Sequence, residues 1–138
     1  MENKFIEIFT GLKRDYGYAD INSAYKDPAT GKLKLKYGWA AKELLESDYL
    51  DHLTGKKSIG IQPCNDEGLA KFGAIDIDSD EYDNFDLRKY LEIIDKKNIP
   101  VVPVKSKSGG LHIYVFFKEP VKASFVRNFL DKLLFTFD

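Results

Sequence analysis

Apolar and polar residues recur along the chain with two different periods, which together predict a succession of helices and strands. From residue 2 to about 12 the apolar residues follow helical spacing, and Gly11 can end that helix. The DPATG stretch at 27–31 is a strong turn signal between two extended segments. A second amphipathic helix is predicted from Ala40 to Leu53, where TGKK ends it.

The second half of the chain alternates strands with helices. Strands are predicted at SIGIQP, KFGAIDID, IPVVPV and LHIYVFF. One helix is predicted over residues 84–97, capped by the acids of SDEYDN, and a last one from Glu119 to Phe135, starting near Pro120. This order predicts an α/β (α+β) fold in which helices flank a mixed β-sheet.

Composition limits the class of protein. With 138 residues, 43% of them apolar, and a net charge of -1, the chain fits one compact domain that does not coat nucleic acid by bulk charge. The single Cys64 excludes an internal disulfide framework and a cysteine-cluster zinc site, and it fits a reducing compartment. Apolar runs fall short of membrane-spanning length, and the charged start lacks a secretory signal, so we expect a cytoplasmic protein with no membrane partner.

Two aspartates close the apolar strand FGAIDID. Because strand side chains alternate between faces, Asp76 and Asp78 are expected to project to the same side, where their charges repel. A divalent cation would offset this repulsion, since Mg²⁺ binds one or two carboxylates together with water and substrate phosphates. The alternative is that these acids cap the next helix, as we expect for Asp80, Glu81 and Asp83.

A second cluster lies in KSKSGGLHIYVFF. Gly109 and Gly110 allow backbone amides to approach a phosphate, Lys107 adds positive charge, and His112 follows the turn, so the stretch is a candidate phosphate cradle. The alternative is an ordinary glycine hairpin with a half-buried histidine. A strand with two aspartates, a helix, a strand and a glycine turn before His112 would bring the acids and the histidine onto neighbouring strands.

Aromatic and basic residues are interleaved in the first forty positions. The aromatic residues are Tyr16, Tyr18, Tyr25, Tyr37 and Trp39, and the basic ones include Lys13, Arg14, Lys26, Lys32, Lys34 and Lys36. Such interleaving suits a groove for nucleic acid in which bases stack on the aromatic rings and the basic residues contact the phosphates. The alternative is that the rings form a small core and that KLKLK is an edge strand protected by its lysines.

The two clusters together resemble a known family. GAIDID and SKSGGLHIYVFF are similar to motifs one and two of the archaeo-eukaryotic primase (primase-polymerase) superfamily. The stretches FTGLKRDYGYA, LDHLTGKKSIGIQP, FGAIDID and KNIPVVPVKSKSGGLHIYVFFKEPV also occur in the order and spacing typical of the primase domain of TOTE conflict systems. The resemblance covers most of the chain.

The resemblance implies a metal-dependent nucleotidyltransferase, a DNA-directed primase or polymerase. Asp76 and Asp78 would hold Mg²⁺ or Mn²⁺, and His112 would contact the triphosphate as the third catalytic residue. Ser108, Gly109, Gly110 and Lys107 would complete the nucleotide cradle. Independently of the resemblance, the interleaving of aromatic and basic residues suggests that Lys13, Arg14, Lys34, Lys36 and Trp39 contact nucleic acid. The implied partners are nucleoside triphosphates, single-stranded DNA or a primed template, and a helicase or other replication domain.

The resemblance also implies a domain organisation. Residues 1–138 would form a single domain with an RRM-like core over 58–138 and a small α/β extension over 1–57. The chain departs from the family pattern at Gly110, where a small hydroxyl residue is usual. A third motif, a hydrophobic residue followed by aspartate, is matched only by FTFD at Asp138, at the end of a predicted helix, so we expect the domain to be incomplete at its C-terminus.

Three other functions fit parts of the pattern. A catalytically incomplete module of a mobile element or defence system would bind nucleotide or nucleic acid without turnover. A metal-dependent nuclease could use the same acids and His112 to activate water. A haloacid-dehalogenase phosphatase also has a paired-aspartate strand, but there the pair lies near the N-terminus and is followed by Thr or Val rather than by Ser79 and Asp80.

Overall fold

The computed structural model describes residues 2–81, 84–107 and 109–137. The chain divides into two compact units, Met1–Glu67 and Gly68–Asp138. Helices and antiparallel sheets in both units confirm the predicted α+β class. The organisation as one domain with a 1–57 extension and a 58–138 core stays a prediction. Within the described ranges, none of the helices has the length and apolar character that a membrane span requires.

The first unit contains a three-stranded sheet and two short helices. Its elements are α1 (Glu2–Ile8), β1 (Tyr16–Lys26), β2 (Leu33–Ala40), α2 (Glu46–Leu53) and β3 (Ser58–Gly60). The strand order is β2-β1-β3 and both pairings are antiparallel. The predicted turn at 27–31 joins β1 to β2, where the Asp27 side chain accepts a hydrogen bond from the Ala29 amide at 2.9 Å. Tyr16, Leu44 and Tyr49 form the buried core.

Helix α2 begins at Glu46, and the prediction that it begins at Ala40 is wrong. Ala40 instead ends β2, where it pairs with Tyr16. The Leu44 side chain is buried, and its amide donates to the Lys13 carbonyl at 2.7 Å, which holds this segment outside a helix. Asp48 then caps the helix by accepting a hydrogen bond from the Leu45 amide at 2.9 Å. Tertiary contacts therefore override the helical pattern of residues 40–45.

Asp48, in α2, is a buried charge beside β1, with 6% of its surface exposed. Its carboxylate forms an ion pair with Lys57 and accepts a hydrogen bond from the Tyr16 hydroxyl at 3.2 Å. Burial alone would raise the pKa of Asp48, but hydrogen bonds from Lys57 and the Leu45 amide, with the charge of Lys57, hold the pKa below its ordinary value. The same ion pair raises the pKa of Lys57.

We expect Asp48→Asn to lower the free energy of unfolding at neutral pH by about 2 kcal/mol, because it leaves the Lys57 ammonium without its carboxylate. Since the folded pKa of Asp48 lies below the ordinary value of 3.8, the stabilisation is complete above that pH and is lost as the pH falls through the folded pKa. Urea unfolding of both proteins between pH 7 and 3 measures the difference. A difference that stayed constant down to pH 3 would contradict this account.

The second unit contains the other sheet, covered by helices on one face. Its elements are β4 (Leu69–Ile77), a 3₁₀ turn (Ser79–Glu81), α3 (Leu87–Lys96), β5 (Val102–Lys105), β6 (Leu111–Lys122) and α4 (Ala123–Phe137). The strand order is β4-β6-β5. The predicted mixed sheet is instead antiparallel, because β6 inserts between β4 and β5, which run in the same direction.

Both helices of this unit begin later than predicted. Helix α3 begins at Leu87 rather than residue 84, because the Asp86 side chain caps it by accepting from the Arg88 amide at 3.0 Å. The predicted capping acid Asp83 lies outside the described residues. The prediction that a helix starts near Pro120 is wrong, since β6 continues to Lys122. Pro120 lies where the register of β4 and β6 shifts, and such irregularities tolerate a residue without an amide hydrogen.

The core of the second unit lies between the sheet and its helices. Its buried residues are Ile75, Ile77, Ile94, Leu111, Ile113 and Leu133. Gly73 lets α4 come close to β4, since a Cβ at this position would lie 2.6 Å from Val126 Cγ1. The helices therefore cover the face of the sheet that carries Ile75 and Ile113. The other face carries polar and aromatic residues.

Candidate functional site

The acidic pair lies where β4 ends. Exposure alternates along this stretch, with Ile75 and Ile77 buried and Ala74, Asp76 and Asp78 exposed. Asp76 is within the strand, and Asp78 follows its last residue. Both aspartates are thus solvent-accessible and alternate with the core residues, the arrangement that strand periodicity predicts.

His112 stands directly opposite Asp76. The two residues are register partners on β6 and β4, and His112 Nε2 lies 3.1 Å from Asp76 Oδ1. The side chains remain accessible, with 36% of His112 and 65% of Asp76 exposed. The sheet therefore brings Asp76 and His112 together, as the sequence predicted from the order of strands.

The glycine turn between β5 and β6 is closed by its own hydrogen bonds. The Ser106 amide donates to the Gly110 carbonyl at 2.9 Å, and the Gly109 amide donates to the Ser106 carbonyl at 3.1 Å. The Gly109 amide is therefore occupied within the turn, although the sequence suggested it as a phosphate donor. Lys107 is exposed, and the predicted cradle residue Ser108 lies outside the described residues.

Gly110 packs against the end of the acidic strand. A Cβ at this position would lie 2.2 Å from the Ile77 carbonyl oxygen and 3.2 Å from Asp78 Cα. Backbone atoms cannot rotate away as a side chain can, so this contact admits only glycine. The departure from the family pattern thus has a structural reason: Gly110 fits the turn against the strand end that carries Asp78.

The donors suit a cation that shares its coordination with a substrate. Within residues 2–81, 84–107 and 109–137, there is no group of three or more His, Cys, Asp or Glu side chains placed to hold a metal. Asp76 and Asp78 supply two accessible carboxylates, which is the protein contribution typical of Mg²⁺ sites completed by water and substrate phosphates. The residues present therefore fit Mg²⁺ or Mn²⁺ in the company of a phosphate-bearing ligand.

An aromatic row extends from His112 along β6, and the sequence reasoning missed it. The His112 and Tyr114 rings are 6.2 Å apart and edge-on, and the Tyr114 and Phe116 rings are 5.9 Å apart and nearly parallel, at 13°. These residues share one face of the sheet, which we call the histidine face and define as Phe72, Ala74, Asp76, Val102, Val104, His112, Tyr114 and Phe116; Phe72 is buried and its ring lies 6.3 Å from that of Phe116. The period-two spacing of histidine, tyrosine and phenylalanine in LHIYVFF was the signal.

The basic residues predicted to contact nucleic acid are partly engaged in ion pairs. Lys34 pairs with Asp27, and Arg14 Nε lies 2.7 Å from Asp66 Oδ1. Arg14 also contacts the Asp15 carboxylate at 3.1 Å. Lys13 and Lys36 are exposed. The positive charge that this segment presents is therefore smaller than its sequence suggests.

A shallow pocket of about 330 Å³ lies on the first sheet. We call it the aromatic pocket; its lining residues are Gly17, Tyr18, Ala19, Tyr37, Gly38, Trp39, Ser58, Ile59 and Gly60. Strand pairing places the two rings of Tyr37 and Trp39 on the same face as the small residues of β1 and β3. Tyr37 is 79% exposed and Trp39 66%. By the same alternation, Lys34 and Lys36 project to the opposite face of β2.

The comparison with protein families identifies the class of this chain as a primase-like domain. Residues 13–137 match the archaeo-eukaryotic primase domain of TOTE conflict systems. The chain belongs to this family. A comparison with curated proteins gave no match.

Proposed function

We propose that this domain binds a nucleoside triphosphate with Mg²⁺ or Mn²⁺ and transfers the nucleotide to a DNA or RNA primer on a template. The observation that carries the proposal is the contact between Asp76 and His112 on paired strands, 3.1 Å apart and open to solvent. A carboxylate next to a histidine at a strand end supplies one group for a cation and one for a phosphate. Membership of the primase family supports the same reaction.

Each residue has a separate role in this proposal. Asp76 and Asp78 bind the cation, which when present neutralises phosphate charge and lowers the pKa of an attacking hydroxyl. His112 donates a hydrogen bond to a phosphate oxygen, and Lys107 adds a charge from the turn. Gly110 positions the turn beside the acids. The protein's contribution is then positioning and charge neutralisation rather than covalent chemistry.

A second candidate is a module that binds nucleotide or nucleic acid without turnover. It is favoured by the lack of a third acidic or histidine ligand in the described part of the chain. The predicted third acid, Asp138, lies outside the described residues. A module that binds nucleotide shares the nucleotide site with the first candidate and differs from it only in the transfer step.

Calorimetric titration of a nucleoside triphosphate, with and without Mn²⁺, tests the shared site. Saturable binding that requires Mn²⁺ is expected. A folded protein that bound no nucleotide would contradict nucleotide transfer and a nucleotide-binding module, and would leave only a module that binds nucleic acid. Extension of a labelled primer on a template then separates them, because the module predicts binding without extension. Incubation of the same oligonucleotide with metal but without nucleotides detects the nuclease alternative by cleavage.

We also propose that the aromatic pocket holds a base of the single-stranded template. Exposed aromatic rings next to a floor of small residues suit base stacking, which is tolerant of sequence. The paired states of Lys34 and Arg14 favour stacking over phosphate contacts as the main source of affinity in this unit.

Trp39→Ala is expected to weaken binding of single-stranded DNA about tenfold, since the loss of one stacking contact costs about 1–3 kcal/mol. Tyr25→Ala is the matched control, because Tyr25 is an exposed ring on β1 that does not line the pocket. Fluorescence anisotropy with a labelled oligonucleotide measures both affinities. Equal losses for the two variants would remove the pocket from the proposal, whereas a larger loss from charge reversal at Lys34 and Lys36 would favour phosphate contacts.

A further inference from the structure

The histidine face changes character along β6. At its turn end lie His112 and its partner Asp76, and further along the strand lie the aromatic rings of Tyr114 and Phe116. A nucleoside triphosphate has the same order of groups, with anionic phosphates at one end and, at the other, a flat base whose faces stack on aromatic rings. The order of residues along one strand therefore matches the order of groups in the ligand.

The distances match as well. A strand advances about 3.4 Å per residue, so Tyr114 lies about 7 Å and Phe116 about 14 Å beyond His112. With its phosphates beside His112 and Asp76, a nucleotide that lies along β6 would bring its sugar and base over Tyr114 and Phe116. In the other direction the strand ends at Leu111 and the glycine turn, which carries no aromatic residue among those described.

The strand neighbours of Tyr114 on the histidine face have small side chains. Its register partners are Ala74 on β4 and Val102 on β5, which are both exposed. A methyl group and a short branched chain on either side do not stand above a tyrosine ring. Since α4 packs on the opposite face of β4, against Gly73, its helical cover does not extend over this side of the strand.

From this arrangement we infer that Tyr114, with Phe116, forms the base-binding platform of the nucleotide site. The inference rests on the proposed function, because it places the base relative to phosphates at His112 and Asp76. Tyr114 contacts the sugar–base portion, and its near-parallel packing with Phe116 fixes the ring in place. This platform recognises a nucleoside triphosphate in preference to a bare polyphosphate.

The test compares two ligands that differ only in the group the platform is inferred to bind. A nucleoside triphosphate and inorganic triphosphate are each titrated, with Mn²⁺, into the wild-type protein and into Tyr114→Ala. The variant is expected to lose about tenfold in affinity for the nucleoside triphosphate and to keep its affinity for inorganic triphosphate. Tyr114→Phe retains the ring and is expected to bind both ligands as the wild type does.

The outcomes separate this inference from the proposed function. If Tyr114→Ala loses affinity for both ligands equally, or for neither, the inferred base platform is wrong and the proposed phosphate site is not affected. If the wild-type protein binds neither ligand, the proposed function fails and the platform with it. Should Tyr114→Ala unfold, Tyr114→Leu retains apolar volume without an aromatic ring, and the same selective loss is expected of it.

Discussion

Replacing Asp76 by asparagine is expected to lower the rate of nucleotide transfer by about 10²–10³-fold while leaving the fold intact. Asparagine keeps the size of the side chain and its place opposite His112, but it lacks the charge that a divalent cation requires. Because the Asp76 side chain is 65% exposed and an asparagine oxygen can still accept a hydrogen bond from His112, we expect the substitution to change stability little. The variant should therefore be almost inactive and about as stable as the wild type.

Primer extension measures the loss of nucleotide transfer, and electron paramagnetic resonance measures the loss of Mn²⁺ binding. Glu92→Gln is the matched control, since it makes the same chemical change on the exposed surface of α3. Asp76→Asn and the control should both unfold within a few degrees of the unfolding temperature of the wild type. Undiminished Mn²⁺ affinity in Asp76→Asn would show that the metal is held elsewhere, and the acidic pair would lose its proposed role. If the wild type binds nucleotide without extending a primer, metal-dependent binding takes the place of extension as the readout.

Gly110→Ala is expected to lower the free energy of unfolding of the second unit by about 3 kcal/mol. Its new Cβ would lie 2.2 Å from the Ile77 carbonyl oxygen, and relief of this overlap requires the turn and the strand end to separate. Since Asp78 Cα is 3.2 Å from the same point, the distortion also displaces an acid of the candidate site. Nucleotide affinity should therefore fall together with stability.

Chemical unfolding followed by circular dichroism measures the change. Gly60→Ala is the control, because a Cβ there meets Gly17 Cα at an ordinary 3.6 Å, and a glycine in a strand is usually improved by alanine. We expect this control to retain or slightly exceed wild-type stability. A Gly110→Ala protein as stable as the control would mean that the turn is not held against β4 as described.

Local patterns in the sequence were sufficient for most of the second unit. The alternation in FGAIDID predicts its buried and exposed faces, and the order of strands predicts that Asp76 and His112 become neighbours. Such features depend on short-range periodicity and on a glycine turn, which are visible without knowledge of the fold. The α+β class follows from the same elements.

Features decided by long-range contacts could not be predicted in this way. Residues 40–45 have helical spacing but do not form a helix, because Ala40 pairs with Tyr16 and the Leu44 side chain is buried. Pro120 has the appearance of a helix start, but the irregular pairing of β4 and β6 accommodates it in a strand. Lys34 counts as a basic residue in the sequence, and only the structure places Asp27 against it.

The position of β6 between β4 and β5 also affects how the site forms during folding. Asp76 and His112 are far apart in the chain, and their contact exists only after β6, which is synthesised after β4 and β5, has paired with β4. Loop-closure entropy makes such distant pairings slow relative to local structure. We therefore expect the candidate site to form late in folding, so that a nascent chain would contain β4 with its acids before it could bind a nucleotide.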